Sequence, residues 1–333
     1  MVLHVRLLPM GTNSGFTRVQ MTVTTAGFVL MTILLGACSG ADLTATNATT
    51  PIPGTATRLP ATATPTLPAT PASGETMLPA TSTPGPTTWQ DAPVLPEISP
   101  AMHDVYRLGQ SLGNDPHAFS KIGDSETFTT WFLAPFDQET ATYDLGPYPE
   151  LQRVIDYFHG SFARQSLAAR QGFNAASVFA PLWADPTQCQ PAETPLACEF
   201  RLHRPSYVFI LLGTNDYLHL DQFEGQMRKI IEYSLEQGVV PIIGLKADNL
   251  EGDGSINRTL FKLAVEYQLP LWNFWKAVQG LPSNGLDEDN AHLTFGVNEF
   301  GNPQAMLRAW PVRNLTALQT LDRVWRAVSA PQG

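Results

Sequence analysis

Between Tyr207 and Phe274 the chain alternates two kinds of block. One kind is short and continuously apolar: Tyr207 to Leu212, Val239 to Leu245 and Leu269 to Phe274. Such runs suit strands covered on both faces. The other kind is a stripe at helical spacing. Phe223, Met227, Ile230, Ile231 and Leu235 form one that stops at Gly238, and Ile256, Leu260, Leu263 and Tyr267 form another with Ser255 as its expected cap. Upstream, Met102, Val105, Tyr106 and Leu108 predict a short helix, and Phe119 to Ile122 a strand. Leu151, Val154, Ile155 and Phe158 predict a helix begun at Pro149, and a last helix is expected from about Leu315 to Val328, capped by Asn314. Residues 159 to 204 give no clear period, and the Pro-rich part, 181 to 195, reads as a surface insertion.

Strand, helix, strand, helix, strand is the order of an α/β fold: a three-layer sandwich around a central, mostly parallel sheet. Right-handed crossovers bring the loops that follow the strands to one edge, where such sheets bind ligands. Three short motifs fall in or near such loops: Gly123-Asp124-Ser125, Gly213-Thr214-Asn215-Asp216 and Asp289-Asn290-Ala291-His292. A serine hydroxyl needs a base to become a nucleophile, and a base of this kind needs a carboxylate to orient it. Ser125, His292 and Asp289 supply those three groups, with Asp289 and His292 expected on one side of a helical turn. Asn215 supplies an amide donor. Asp124 and Asp216 are read as acceptors that fix their loops. Trp131, Phe132 and Phe136 are read as core before cleft.

Before the α/β region the composition changes twice. Arg6 and Arg18 precede an apolar run from Ala26 to Leu35 and the sequence Leu35-Gly36-Ala37-Cys38. A basic start, a short apolar stretch and small residues before a cleavage point predict a secretory signal over residues 1 to 38. The run is too short for a permanent span, which needs ~20 residues. Leu-Gly-Ala-Cys resembles the lipobox of bacterial lipoproteins, which implies lipid attachment at Cys38, membrane anchoring and an extracytoplasmic, cell-envelope location. A start at Met21 would drop both arginines. Residues 41 to 100 contain 15 Thr and 12 Pro with almost no charge. This composition predicts an extended tether over residues 39 to 99, open to O-glycosylation.

The domain expected over residues 100 to 333 carries 17 Lys and Arg against 26 Asp and Glu, a formal charge of −9. Acidity without a basic run argues against nucleic acid as a partner. With Cys38 assigned to lipid, Cys189 and Cys198 remain, and in an oxidising compartment they are expected to form a disulfide worth ~2–3 kcal/mol. Two Cys without a further ligand do not complete a zinc site. No metal or cofactor is expected.

Taken together, the three motifs resemble those of the SGNH, or GDSL-type, serine hydrolases. The Asp-x-x-His spacing separates them from α/β-hydrolases, whose nucleophile motif is Gly-x-Ser-x-Gly; here Thr127 stands at the last position. The resemblance covers about residues 101 to 330. It implies a flavodoxin-like sheet, an acyl-Ser125 intermediate, and an oxyanion hole made by the Ser125 N–H, a Gly N–H and Asn215. Gly172, in Gln171-Gly172-Phe173-Asn174-Ala175-Ala176-Ser177, is the expected glycine and Gly160 the alternative. Glu126 departs from the Leu of the GDSL name. The implied activity is hydrolysis of a short acyl or O-acetyl ester by a monomeric catalytic domain, with a small ester or acylated glycan as substrate. An O-acyltransferase and a non-catalytic carbohydrate-binding surface protein are the alternatives.

Overall fold

The computed structural model describes residues 86–138 and 143–330. Four strands form one parallel sheet in the order β1 (Asp115–Gly123), β3 (Pro205–Leu211), β4 (Val240–Gly244), β5 (Leu271–Trp272). Every residue of β3 and β4 is buried, as their unbroken apolar runs require. At the outer side of β1, Gly123 makes a parallel bridge with Ala169. Counting that bridge as a vestigial edge strand restores the five-strand order of a flavodoxin-like sheet. A separate pair, β2 (Tyr143–Asp144) and β6 (Asn298–Glu299), is also parallel.

Helices cover both faces. On one side α1 (Ala101–Leu112), α3 (Gln152–Tyr157) and α7 (Phe274–Val278) pack around the long α8 (Ala309–Ser329). On the other lie α4 (Pro195–His203), α5 (Leu220–Glu236) and α6 (Ser255–Glu266). A single core of Phe119, Phe132, Phe158, Phe209, Ile243, Trp272, Leu318 and their neighbours joins the layers. Among the described residues no helix is long and apolar enough to cross a membrane.

Several boundaries differ from the sequence reading, each for a local reason. Helix α8 begins at Ala309, six residues before the expected start, with Pro311 in its first turn. Asn314 is therefore no cap. It is buried inside α8, accepting from the Leu133 N–H at 3.0 Å and donating to the Trp131 carbonyl at 2.9 Å. Ser255 is the first residue of α6 and not its cap; Asp253 accepts the Ser255 N–H instead. The run 269 to 274 divides after Trp272, because Asn273 caps α7 by accepting the Lys276 N–H. Part of the expected tether packs on the domain: Trp89 and Ala92 are buried, and Asn273 donates to both of their carbonyls. Cys38, the expected signal and lipobox, and the rest of the tether up to residue 85 lie outside the described residues.

Candidate active site

Strand register brings the first two motifs together. Gly123 at the end of β1 lies opposite Leu211 at the end of β3, so the Ser125 turn and the Asn215 turn leave the sheet side by side. Gly123 has no room for a side chain: a Cβ there would meet Thr127 Oγ1 at 2.3 Å and the Leu211 carbonyl at 2.7 Å. This close approach lets the chain turn at once into α2 (Ser125–Phe128). Asp124 caps that turn by accepting the Glu126 N–H at 3.1 Å, the loop-fixing role expected of it. Ser125 is half-buried, and its N–H, at the start of α2, donates to no acceptor among the described residues.

The oxyanion side is held by cross-links between two loops. One N–H of the Asn215 amide donates to the Phe173 carbonyl at 2.9 Å, which leaves the second for another acceptor. In return, Asp216 accepts the Ala175 N–H at 3.0 Å, again as a loop-fixing acceptor. The segment carrying Gly172 is fastened to the nucleophile strand as well, through the Arg170 N–H on the Gly123 carbonyl at 3.1 Å. Gly172 has a φ of +81°, is exposed, and its N–H is free of acceptors among the described residues. Gly160 does not compete: its N–H is spent on Asp137 Oδ1 at 2.9 Å.

Asp289 and His292 form the third part. Asp289 Oδ2 lies 2.5 Å from His292 Nδ1, while its Oδ1 accepts the Ala291 and His292 N–H groups at 3.0 and 2.9 Å. The expected helical turn is absent. Asn290 has a φ of +56°, and the carboxylate folds the segment as an Asx turn inside a loop closed by the Leu286–Leu293 bridge. The dyad faces solvent, with the two side chains 56% and 51% exposed. The hydrogen bond to Asp289 raises the His292 pKa, and Glu126 and Asp124 raise it further by their charge. The same bond holds the Asp289 carboxyl far below the usual carboxylate range.

One small cavity lies among residues adjacent to the three motifs, although the side chains of Ser125, Asn215 and His292 are not in its walls. Its volume is about 40 Å³, and its walls include both neighbours of Ser125 (Asp124 and Glu126), both neighbours of His292 (Ala291 and Leu293), and Thr214 beside Asn215. Sequence reasoning missed the charges that also line it. Arg313 of α8 is buried, sits 3.3 Å from Glu126 Oε2, and lies 4.5 Å from the ring centre of Phe132. Lys246 is bound by Asp248 and Glu251, and Asp248 accepts the Thr214 hydroxyl at 2.7 Å. Burial pushes the Asp124 carboxyl up to about 7, and Arg313 opposes this. A Lys directly after a buried strand, and a Glu beside the candidate nucleophile, were the available signals.

The remaining expected residues sort cleanly. Phe132 and Phe136 are core, whereas Trp131 is half exposed and leans on Phe295 at 5.0 Å. Cys189 and Cys198 are joined in a disulfide, which leaves neither as a metal-binding thiolate.

No protein-family model and no curated protein matches the chain. Solved structures similar to it include a psychrotrophic esterase, EstA, from Pseudoalteromonas sp., at 13% identity over 62% of this chain and 97% of that one, with a TM-score of 0.38. A putative lipolytic protein of the G-D-S-L family from Desulfitobacterium hafniense is 14% identical over 61% and 99%, with a TM-score of 0.37. An acetyl xylan esterase from Geobacillus stearothermophilus is 13% identical over 66% and 98%, with a TM-score of 0.40. Likeness at this level fixes no chemistry, which rests on the site itself.

Proposed function

We propose that the chain is a serine esterase acting through an acyl-Ser125 intermediate. The observation that carries this reading is the Asp289–His292 bond beside two turns, those of Ser125 and Asn215, that leave paired strand ends side by side, with sequence neighbours of Ser125, His292 and Asn215 lining one small space. Ser125 Oγ attacks the ester carbonyl carbon and passes its proton to His292 Nε2. The oxyanion is held by the Ser125 and Gly172 N–H groups and the free N–H of the Asn215 amide. When the carbon–oxygen bond to the alcohol breaks, His292 returns the proton to the departing alkoxide. Water then gives a proton to His292, attacks the acyl carbon and releases the carboxylic acid and the Ser125 hydroxyl.

The exposure of His292 and Asp289 favours water as the second nucleophile, because a transferase must keep water from its acyl-enzyme. An oriented imidazole also has no use in a protein that only binds sugar. The lipobox-like Leu35-Gly36-Ala37-Cys38 and the Thr/Pro tether support anchoring at a lipidated Cys38 outside the cytoplasm, and with it an O-acylated envelope glycan as substrate. Hydrolysis of 4-nitrophenyl acetate tests the chemistry: activity is expected from the native chain and none from a folded Ser125→Ala variant. Mass spectrometry of the mature amino terminus tests the anchor, and an unmodified terminus elsewhere would refute it.

A further inference from the structure

The Pro-rich insertion forms one wall of a groove beside the nucleophile. The groove has a volume of about 440 Å³ and is lined by Phe128, Gln165, Arg170, Trp183, Asp185 and Gln188, among others. That size falls within the ~300–1,000 Å³ of small-molecule sites. Its position relative to Ser125 follows from backbone bonds. Phe128 ends the helix that Ser125 begins, and the Arg170 N–H is bonded to the Gly123 carbonyl two residues before Ser125.

The wall is fixed in place. The Cys189–Cys198 disulfide ties the insertion to α4. Arg201 of α4 adds a bond to the Gln188 carbonyl at 3.1 Å and a two-pronged contact with Glu193. Asp185 accepts from the Thr187 hydroxyl at 2.7 Å and from the Gln188 amide at 2.9 Å, so Gln188 keeps its own Oε1 free as an acceptor. Trp183 is held by the Arg170 guanidinium, 5.5 Å from its ring centre, and by the edge of Phe173 at 6.3 Å, yet remains 45% exposed. Among the described residues neither the Gln165 amide nor the Arg170 guanidinium donates a side-chain hydrogen bond.

Two partly exposed aromatic rings, Phe128 and Trp183, share the groove with planar amide, guanidinium and carboxylate groups, a combination that matches one chemistry. A pyranose ring presents C–H faces to an aromatic ring and hydroxyl groups around its rim. An alkyl chain would cover the rings but leave the Gln165 amide and the Arg170 guanidinium facing it without hydrogen-bond partners. We infer that this disulfide-braced groove binds a pyranose ring of a neutral glycan, delivering an ester on that glycan to Ser125. The inference takes from the esterase reading what happens at Ser125; the groove itself stands apart from it.

The test uses the full chain, with Trp183→Ala and Gln165→Ala variants checked for an unchanged Tm. Kinetics on O-acetylated cellotetraose are compared with those on 4-nitrophenyl acetate, which carries no sugar ring. Trp183→Ala is expected to raise KM for the glycan ester about tenfold at unchanged kcat, with Gln165→Ala acting in the same direction. Neither should alter hydrolysis of 4-nitrophenyl acetate. Equal losses on both substrates, or no change on the glycan ester, would overturn the subsite. In parallel, the Ser125→Ala chain is titrated with cello-, chito- and manno-tetraose while its tryptophan fluorescence is followed. Binding that disappears with Trp183→Ala supports the groove even if the native chain cleaves no ester, an outcome that would sink the esterase reading alone. Absence of binding by all three at millimolar concentration, or binding lost with Trp131→Ala and kept with Trp183→Ala, would overturn the groove.

Discussion

The two halves of the candidate site are held in opposite ways. Ser125, Gly172 and Asn215 sit on loops locked to the sheet and to one another, by the Gly123–Ala169 bridge, the Asn215–Phe173 bond and the Asp216–Ala175 bond. Asp289 and His292 stand on a solvent-facing loop that Asp289 itself folds, with more than half of each side chain exposed. The proposed nucleophile and oxyanion donors are thus held by the sheet edge, where precise placement matters most for developing charge. The base is a local device that the core only has to aim. Substitutions in the dyad therefore report chemistry nearly free of folding, whereas substitutions at the sheet edge report both.

The largest effect expected from this contrast is at the dyad. Asp289→Asn should lower kcat/KM by about 10³–10⁴-fold, because the imidazole loses its orientation and the imidazolium its partner. The melting temperature should hardly move, since the loop is exposed. The pH profile should change too. His292 must be neutral to accept a proton, so kcat/KM falls as pH drops through its raised pKa, and removing the Asp289 charge should carry that limb to lower pH. A variant with unchanged rate and limb would remove Asp289 from the mechanism.

Asn215→Ala is expected to cost about 10²–10³-fold in kcat while leaving the acid limb where it is, because it deletes a donor and no titrating group. Unlike the dyad variant, it should also lower stability measurably, since the Phe173 carbonyl loses its partner. A smaller change is expected from Glu126→Gln, which removes a charge that raises the His292 pKa. The acid limb should shift downward with only a few-fold change in plateau rate. Measuring kcat/KM from pH 4 to 9 would separate the two. Smallest for catalysis of small esters is replacement of both Cys189 and Cys198 by Ser. This should cost ~2–3 kcal/mol in chemical unfolding and leave 4-nitrophenyl acetate hydrolysis intact.

How much of this was legible depended on whether a residue's role is local. The buried strands β3 and β4 and the Ser125, Asn215 and His292 motifs are stretches whose neighbours along the chain already display the pattern. The beginning of α8 was hidden because Arg313 and Asn314 interrupt its apolar stripe, although both are buried. Their compensation comes from Glu126, Trp131 and Leu133, far away in sequence and invisible to periodicity. The same holds for Lys246, which Asp248 and Glu251 neutralise in a loop that reads as solvent-exposed. The β2–β6 pair, two residues on each side, is too short to carry any period. The Asp289–His292 spacing was readable but its conformation was not, because an Asx turn and a helical turn bring positions three apart equally close.

The central claim is that Ser125 is the activated nucleophile, and covalent trapping tests it most directly. The native chain should be treated with a fluorophosphonate serine probe at neutral pH, digested, and mapped by mass spectrometry. The account expects one labelled peptide, modified at Ser125, with labelling lost in Ser125→Ala and strongly slowed in His292→Ala. Absence of label on an intact, folded chain, or label on a serine other than Ser125, would contradict it.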